Sequence, residues 1–238
     1  MKRYVLADPH GGYKALLQVL ERSGFNREED ELIVLGDICD GWPETRQCID
    51  ELLKIKNLNY IIGNHDKWTL DWFVMGLKPD LWVSQGGYNT MRSYDYNRAE
   101  VPESHIEFLK NASWYIETDG CLFVHGGIEP YTPMNKQDIK TIMWDRKLIQ
   151  DAYYTQKIAD GKKLVAPNIT GYREVFVGHT TTLLFKTVEP VKYCEIWDLD
   201  TGGGWNGKLT IMDRDTHKYW QSDYVQDLYP GSHGRNDY

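Results

Sequence analysis

The chain has little with which to cross-link itself. Only four cysteines occur in 238 residues, Cys39, Cys48, Cys121 and Cys194, and no two fall at a Cys-x-x-Cys spacing. That argues against a zinc ribbon and a disulfide framework and leaves buried thiols in a reducing compartment. Basic charge is also short. With 27 Lys and Arg against 35 Asp and Glu the formal net charge is −8, so the surface as a whole repels a nucleic-acid backbone and duplex DNA is not an expected partner. No apolar run is long enough to span a bilayer, and Met1-Lys2-Arg3 leads into YVLADPH without the apolar core of a signal peptide. The expected location is the cytoplasm, with no membrane partner. A Pro/Gly/Ser-rich linker, an internal repeat and a low-complexity tract are all missing, so residues 1–238 are expected to form a single domain.

What remains is ample for a core, with 41% apolar and 13% aromatic residues. The first part of the chain alternates strand and helix signals: YVLA, then an amphipathic run from Tyr13 to Ser23; ELIVLG, then Pro43 to Lys56; LNYIIG, then Trp68 to Met75. This is a βαβαβ pattern, with Pro43 placed as an N1 proline. A loop-rich section, KPDLWVSQGGYNTMRSYDYNR, precedes a predicted helix from Pro102 to Asn111. Strands then dominate: WYIET and CLFVHG form a hairpin across Asp119-Gly120, followed by EVFVGH, KYCEIWDLD and GKLTIMD. The predicted fold is α/β (α+β), two mixed sheets packed face to face as a sandwich with helices outside. Residues 129–172 have the weakest periodicity and are expected to be a substrate-rim insertion. Residues 231–238, GSHGRNDY, are expected to fray.

The strand candidates end alike. The first gives Asp8 and His10 in ADPHGG, the second Asp37 and Asp40 in GDICDGW, the third Asn64, His65 and Asp66; later strands give His125 in VHGG and His179 in VGHT. Singly each is ordinary: Asp8 as a turn residue, Asp37 as a helix cap, either histidine as a satisfied core group. Five strand ends converging on Asp, Asn and His are not. Carboxylate and imidazole together suit a pair of divalent cations such as Mn, Fe, Zn or Ni, whereas an all-oxygen set would point to Mg or Ca.

In this order, DPHGG, GDICDG, GNHD, HGG and GHT resemble the calcineurin-like metallophosphoesterases, specifically the phosphoprotein phosphatase branch with its bacterial and phage Ser/Thr phosphatases. WVSQGGYNTMRSY, MWDR and DLDTGGGWNGKLTIMD extend the likeness over roughly residues 1 to 215. The resemblance implies that Asp8, His10 and Asp37 hold one metal and that Asp37 bridges to a second, completed by Asn64, His125 and His179. It implies further that His65 is the general acid, oriented by Asp40, and that a metal-bound hydroxide attacks phosphorus directly. Mn is the metal expected to support activity in vitro. The implied substrates are phosphoserine and phosphothreonine proteins. The alternative is a small phosphoester, as in a dinucleoside polyphosphate or nucleotide phosphohydrolase; a non-catalytic binding module of the same fold is a remote third reading.

The sequence departs from the branch at two places. Where the Ser/Thr phosphatases carry phosphate-gripping arginines it has Gly41 and Ile62, neither with a side-chain donor. A pocket without those arginines is expected to favour monoesters over diesters less. Arg146 in MWDR resembles another phosphate-binding arginine, with Arg173 a weaker candidate. Trp68 and Trp72, four apart on a helix, are read as core, and Trp42 as a residue of the site's rim.

Overall fold

The computed structural model describes residues 1–236. Two five-stranded sheets form its centre. Strand β1 (Arg3–Leu6) feeds helix α1 (Tyr13–Ser23), β2 (Glu31–Val34) feeds α2 (Thr45–Leu52), and β3 (Asn57–Tyr60) feeds α3 (Asn64–Met75). These three strands run parallel, as connections that pass through a helix require. Short helices α4 (Asp80–Trp82) and α5 (Tyr88–Ser93) and the longer α6 (Glu103–Lys110) lead to the hairpin of β4 (Tyr115–Thr118) and β5 (Cys121–Val124). Helices α7 (Ile139–Trp144) and α8 (Lys147–Gly161) precede β6 (Glu174–Val177), β7 (Val191–Tyr193) and β8 (Ile196–Asp198). Strands β9 (Thr210–Asp213) and β10 (Tyr219–Gln221) return to the first sheet, and α9 (Val225–Leu228) follows. The first sheet has the order β10-β9-β1-β2-β3 and the second β4-β5-β6-β8-β7.

The sheets meet across Val5, Ile33, Ile61, Phe123, Phe176 and Met212, with the two phenylalanine rings stacked 4.9 Å apart. Each of these fully buried side chains contributes about 1.5–3 kcal/mol of hydrophobic stabilisation. The expected sandwich is thus the observed one. Helix α1 matches its predicted span, and the Asp119-Gly120 hairpin closes with both turn residues at positive φ, 52° and 71°.

Several elements differ from expectation. Pro43 lies before the N-cap Glu44 of α2, outside the helix. Strand β3 is an edge strand and only partly buried; burial becomes complete at Tyr60–Ile62. Asn64, His65 and Asp66 form the first turn of α3, where Asp66 accepts the Gly63 N–H at 2.8 Å. The section read as loop is helical, broken at Gln85 and at Gly86, whose φ of 103° no helix contains. KYCEIWDLD is two strands separated by a turn at Cys194, with φ 53°. Residues 129–172 hold α7 and α8. The apolar face of α8, Leu148, Ile149 and Ala152, is masked in the sequence by the exposed Tyr154 and Ile158. At the other end, Gly234–Asn236 form a short turn of helix and Arg235 is buried, so the tail is folded through Asn236; residues 237 and 238 lie outside the described residues. Among the described residues, no helix is long and apolar enough to cross a membrane.

Candidate active site

The carboxyl ends of β1, β2, β5 and β6 and the first turn of α3 face one another, the place where parallel sheets offer loops rather than paired backbone. Asp8, His10, Asp37, Asn64, His65, His125 and His179 are all buried there, brought together from across 171 positions of sequence, as the Asp8 to His179 contact shows. Two groups of donors share one carboxylate: Asp8, His10 and Asp37, and Asp37, His125 and His179. The Asp37 Oδ2 atom lies 3.3 Å from His125 Nε2 and 3.7 Å from His10 Nε2, while His125 Nε2 lies 3.1 Å from Asn64 Oδ1. Ligands about 2.1 Å from a common cation are separated by roughly 3.0–3.5 Å.

The remaining polar contacts fix which atoms are free. His10 Nδ1 is 3.0 Å from the Cys39 carbonyl and His125 Nδ1 2.7 Å from that of Leu35; each ring donates there and turns Nε2 inward, the atom that would meet a cation. Asp8 Oδ1 and His179 Nε2 are buried with no hydrogen-bond partner. Orphaned acceptors of this kind are costly unless something fills the space between them, and nitrogen with carboxylate oxygen is the donor set for Mn, Fe, Zn or Ni. The residues fit divalent metal ions.

Electrostatics point the same way. Burial pushes the Asp8 carboxyl well up, with Asp200 adding to it. Burial also works to raise Asp37, but His125, His65 and His10 hold it well below the usual carboxylate range. Burial drives His10 and His179 well below an ordinary imidazole. Beside them, His65 Nδ1 is 2.7 Å from Asp40 Oδ2. That carboxylate also accepts from Trp82 Nε1 and Thr90 Oγ1, both at 2.7 Å, and from Thr69 Oγ1 at 3.3 Å. A carboxylate so saturated with donors is an acceptor only, so His65 Nδ1 carries a proton and Nε2 is left for exchange. The His65 ring stands 5.0 Å from that of His10.

The other candidates separate. Arg146 is exposed at the N-cap of α8, and its charge reaches His179. Arg173 lies at the opposite end of the second sheet, its backbone on Gly120 and its Nη2 3.0 Å from Cys121 Sγ, because it precedes β6 while the site follows it. Trp42 is 1% exposed, donates to the Gly203 carbonyl at 2.7 Å and stacks on Tyr229, so it is packing and not rim. Trp72 is core, whereas Trp68 is half-buried, edge-on to His65 and to Trp144, which in turn meets His179. Ile62 is buried.

Three residues contribute in ways that the sequence motifs do not announce. Asp66, whose carboxylate accepts from the N–H groups of Asp37, Ile38, Cys39 and Gly63 and from the Tyr60 hydroxyl, shapes the second loop. Asp200, after β8, stands at a sixth strand end, and burial pushes its carboxyl up to about 6. Its motif DLDTGGGWNG was visible without its role. Arg235 stood in a tail with no signal at all.

The family model of calcineurin-like phosphoesterases matches residues 1–185. Serine/threonine-protein phosphatase 1 of Salmonella typhimurium is 23% identical over 214 residues, spanning 87% of this chain and 89% of its own. The symmetrical bis(5'-nucleosyl)-tetraphosphatase of Pseudomonas putida is 24% identical over a gapped alignment of 290 positions, spanning 95% of this chain and 94% of its own. A solved protein serine/threonine phosphatase from Saccharomyces cerevisiae superposes with a TM-score of 0.61 at 14% identity, covering 99% of this chain and 83% of that one, and so shares the fold. With a matched span that holds every donor from Asp8 to His179, the chain belongs to the calcineurin-like phosphoesterase family and is a metal-dependent phosphoric ester hydrolase.

Proposed function

We propose that the protein is a phosphoserine/phosphothreonine phosphatase acting in the cytoplasm, in keeping with its free cysteines. Asp8, His10 and Asp37 hold one divalent ion, and Asp37, Asn64, His125 and His179 a second. When bound, such ions supply Lewis-acid neutralisation of phosphoryl charge and activation of water. The chain's own part is proton delivery: Asp40 accepts the Nδ1 proton of His65 at 2.7 Å, fixes the plane of the ring and stabilises it with both nitrogens protonated, and this imidazolium gives its Nε2 proton to the departing alkoxide oxygen of serine or threonine and is left as the neutral Nδ1–H ring. The buried His65–Asp40 pair at 2.7 Å, beside two donor groups that share Asp37, is the observation that carries this reading. The Salmonella relative supports the protein substrate.

The Pseudomonas relative favours a second reading, hydrolysis of a dinucleoside polyphosphate. One experiment compares kcat/KM for phosphoserine and phosphothreonine peptides with that for diadenosine tetraphosphate on the same Mn-loaded protein. Higher values on the peptides are expected. The reverse order would move the assignment to the second reading, and no turnover of either would overturn both.

A further inference from the structure

Arg235 enters the site from a part of the chain remote from every other site residue. It is 8% exposed, and its backbone N–H points to the Gly204 carbonyl at 3.4 Å. Gly204 lies flat against His10: a Cβ there would stand 2.3 Å from His10 Cδ2. The turn that carries Arg235 is therefore one layer away from a proposed metal ligand. Its guanidinium stacks over Trp205 at 4.4 Å, and Nη2 donates to Gln85 Oε1 at 2.8 Å. Nε is buried and has no hydrogen-bond partner. Among the described residues no carboxylate forms an ion pair with it, although Asp37, Asp200, Asp40 and Asp8 all act on its charge.

A buried cation without a direct anion is expensive, and an unsatisfied buried N–H adds to the cost. A guanidinium cannot escape by losing its proton. Such a group is accounted for when an anion with several oxygens comes to it.

The neighbouring loop explains why the arm can be there. Gly41 has φ 88°, and a Cβ on it would meet the His10 carbonyl oxygen at 3.0 Å and Arg235 Cγ at 3.3 Å. A side chain at 41 and the Arg235 arm compete for one space. Bare glycine at 41 and arginine at 235 belong together.

We propose that Arg235 grips the phosphoryl oxygens of the substrate, reaching from the C-terminal turn into the space that Gly41 leaves open. The assignment rests on the phosphatase reading above and names the residue that binds its phosphate. Stacking on Trp205 and the bond to Gln85 hold the fork in place, and Nε is the donor kept for the ligand. A monoester dianion offers this fork more charge than a diester monoanion does, so the preference for monoesters survives the loss of a side-chain donor at position 41.

The test measures inorganic phosphate binding to Mn-loaded protein by calorimetry, alongside KM and kcat for para-nitrophenyl phosphate and its bis-ester. In Arg235→Gln, phosphate binding should weaken roughly ten- to hundred-fold and KM for the monoester should rise in parallel. The bis-ester should lose less, and metal content should stay that of the wild type. Unchanged phosphate affinity in Arg235→Gln, or a wild type that binds no phosphate, would overturn the proposal. If that variant does not fold, Arg235→Lys, which keeps the stem and charge without the fork, must still bind phosphate several-fold more weakly; equal binding would refute the grip. A wild type that binds phosphate through Arg235 but hydrolyses no phosphate ester would instead refute the phosphatase reading and leave the grip standing.

Discussion

Five side chains of the site, Asp8, His10, Asp37, Asp40 and His179, rise from backbones in the left-handed region, at φ between 46° and 70°. Asp and His tolerate that region better than most residues, yet each such position still costs energy that the surroundings must supply. Asp66 is one source. Its carboxylate accepts five bonds of 2.7–3.2 Å, four of them from loop N–H groups. An amide offers one acceptor oxygen and places a donor against donors, so Asp66→Asn should cost about 3 kcal/mol. For a domain of this size that is roughly a 6–12 °C fall in Tm, measurable by calorimetry, and a fall below 2 °C would show that the loop holds itself. His65→Ala should lower kcat about 10²–10⁴-fold on an alkyl phosphate ester and much less on para-nitrophenyl phosphate, whose leaving oxygen needs no proton. Equal losses on the two esters would remove His65 from the proton-transfer step. Burial opposes a charge on His125, but the Asp37 and Asp8 carboxylates beside it outweigh burial and push its pKa up to about 10. That ring is thus protonated at neutral pH in the metal-free protein and must give up its proton to bind a cation. Loading with Mn at pH 7 should release roughly one proton from it, and metal affinity should rise with pH below that value. Binding that neither acidifies a weak buffer nor depends on pH would place His125 outside the coordination sphere.

Elements hold these residues by close approach, and the loop before β9 is the clearest case. Gly204→Ala would drive a methyl group into the His10 ring, since 2.3 Å is far inside contact distance. The expected result is a lower metal content with an unchanged far-UV spectrum, read by elemental analysis; full metal occupancy would show that the loop gives way. The same close contacts explain what could be read in advance. Wherever an element buries one face and ends in a polar cluster, as in β1-α1 and the 119–120 hairpin, its periodicity and turn residues were plain. Where a short helix is broken at Gly86, or α8 exposes Tyr154 and Ile158, local pattern and tertiary packing disagree and the pattern misleads. Strand-end motifs named the donors because metal chemistry restricts residue type. They could not name Asp200 or Arg235, whose value lies only in where the folded chain brings them.

The whole molecule keeps its net charge of −8 away from one need: the deepest part of the site holds a cluster of acids with a single buried arginine from the far end of the described chain. A chain ending at residue 232 should therefore stay folded and bind metal, but bind phosphate poorly. One ending at residue 205 lacks β9 and β10 and should be degraded quickly in limited proteolysis, while the full chain resists; equal resistance would mean that β1 needs no partner on that side. In the sheet β1 sits between β2 and β9, pairing residues 4–6 with 211–213. On the ribosome this ordering becomes a delay. The first strand emerges early, pairs with β2, and then presents an apolar edge with nothing beside it until most of the chain has been made. At about 5–20 residues per second that wait is on the order of ten to thirty seconds, an interval in which a chaperone, or another nascent copy, has an open strand to seize.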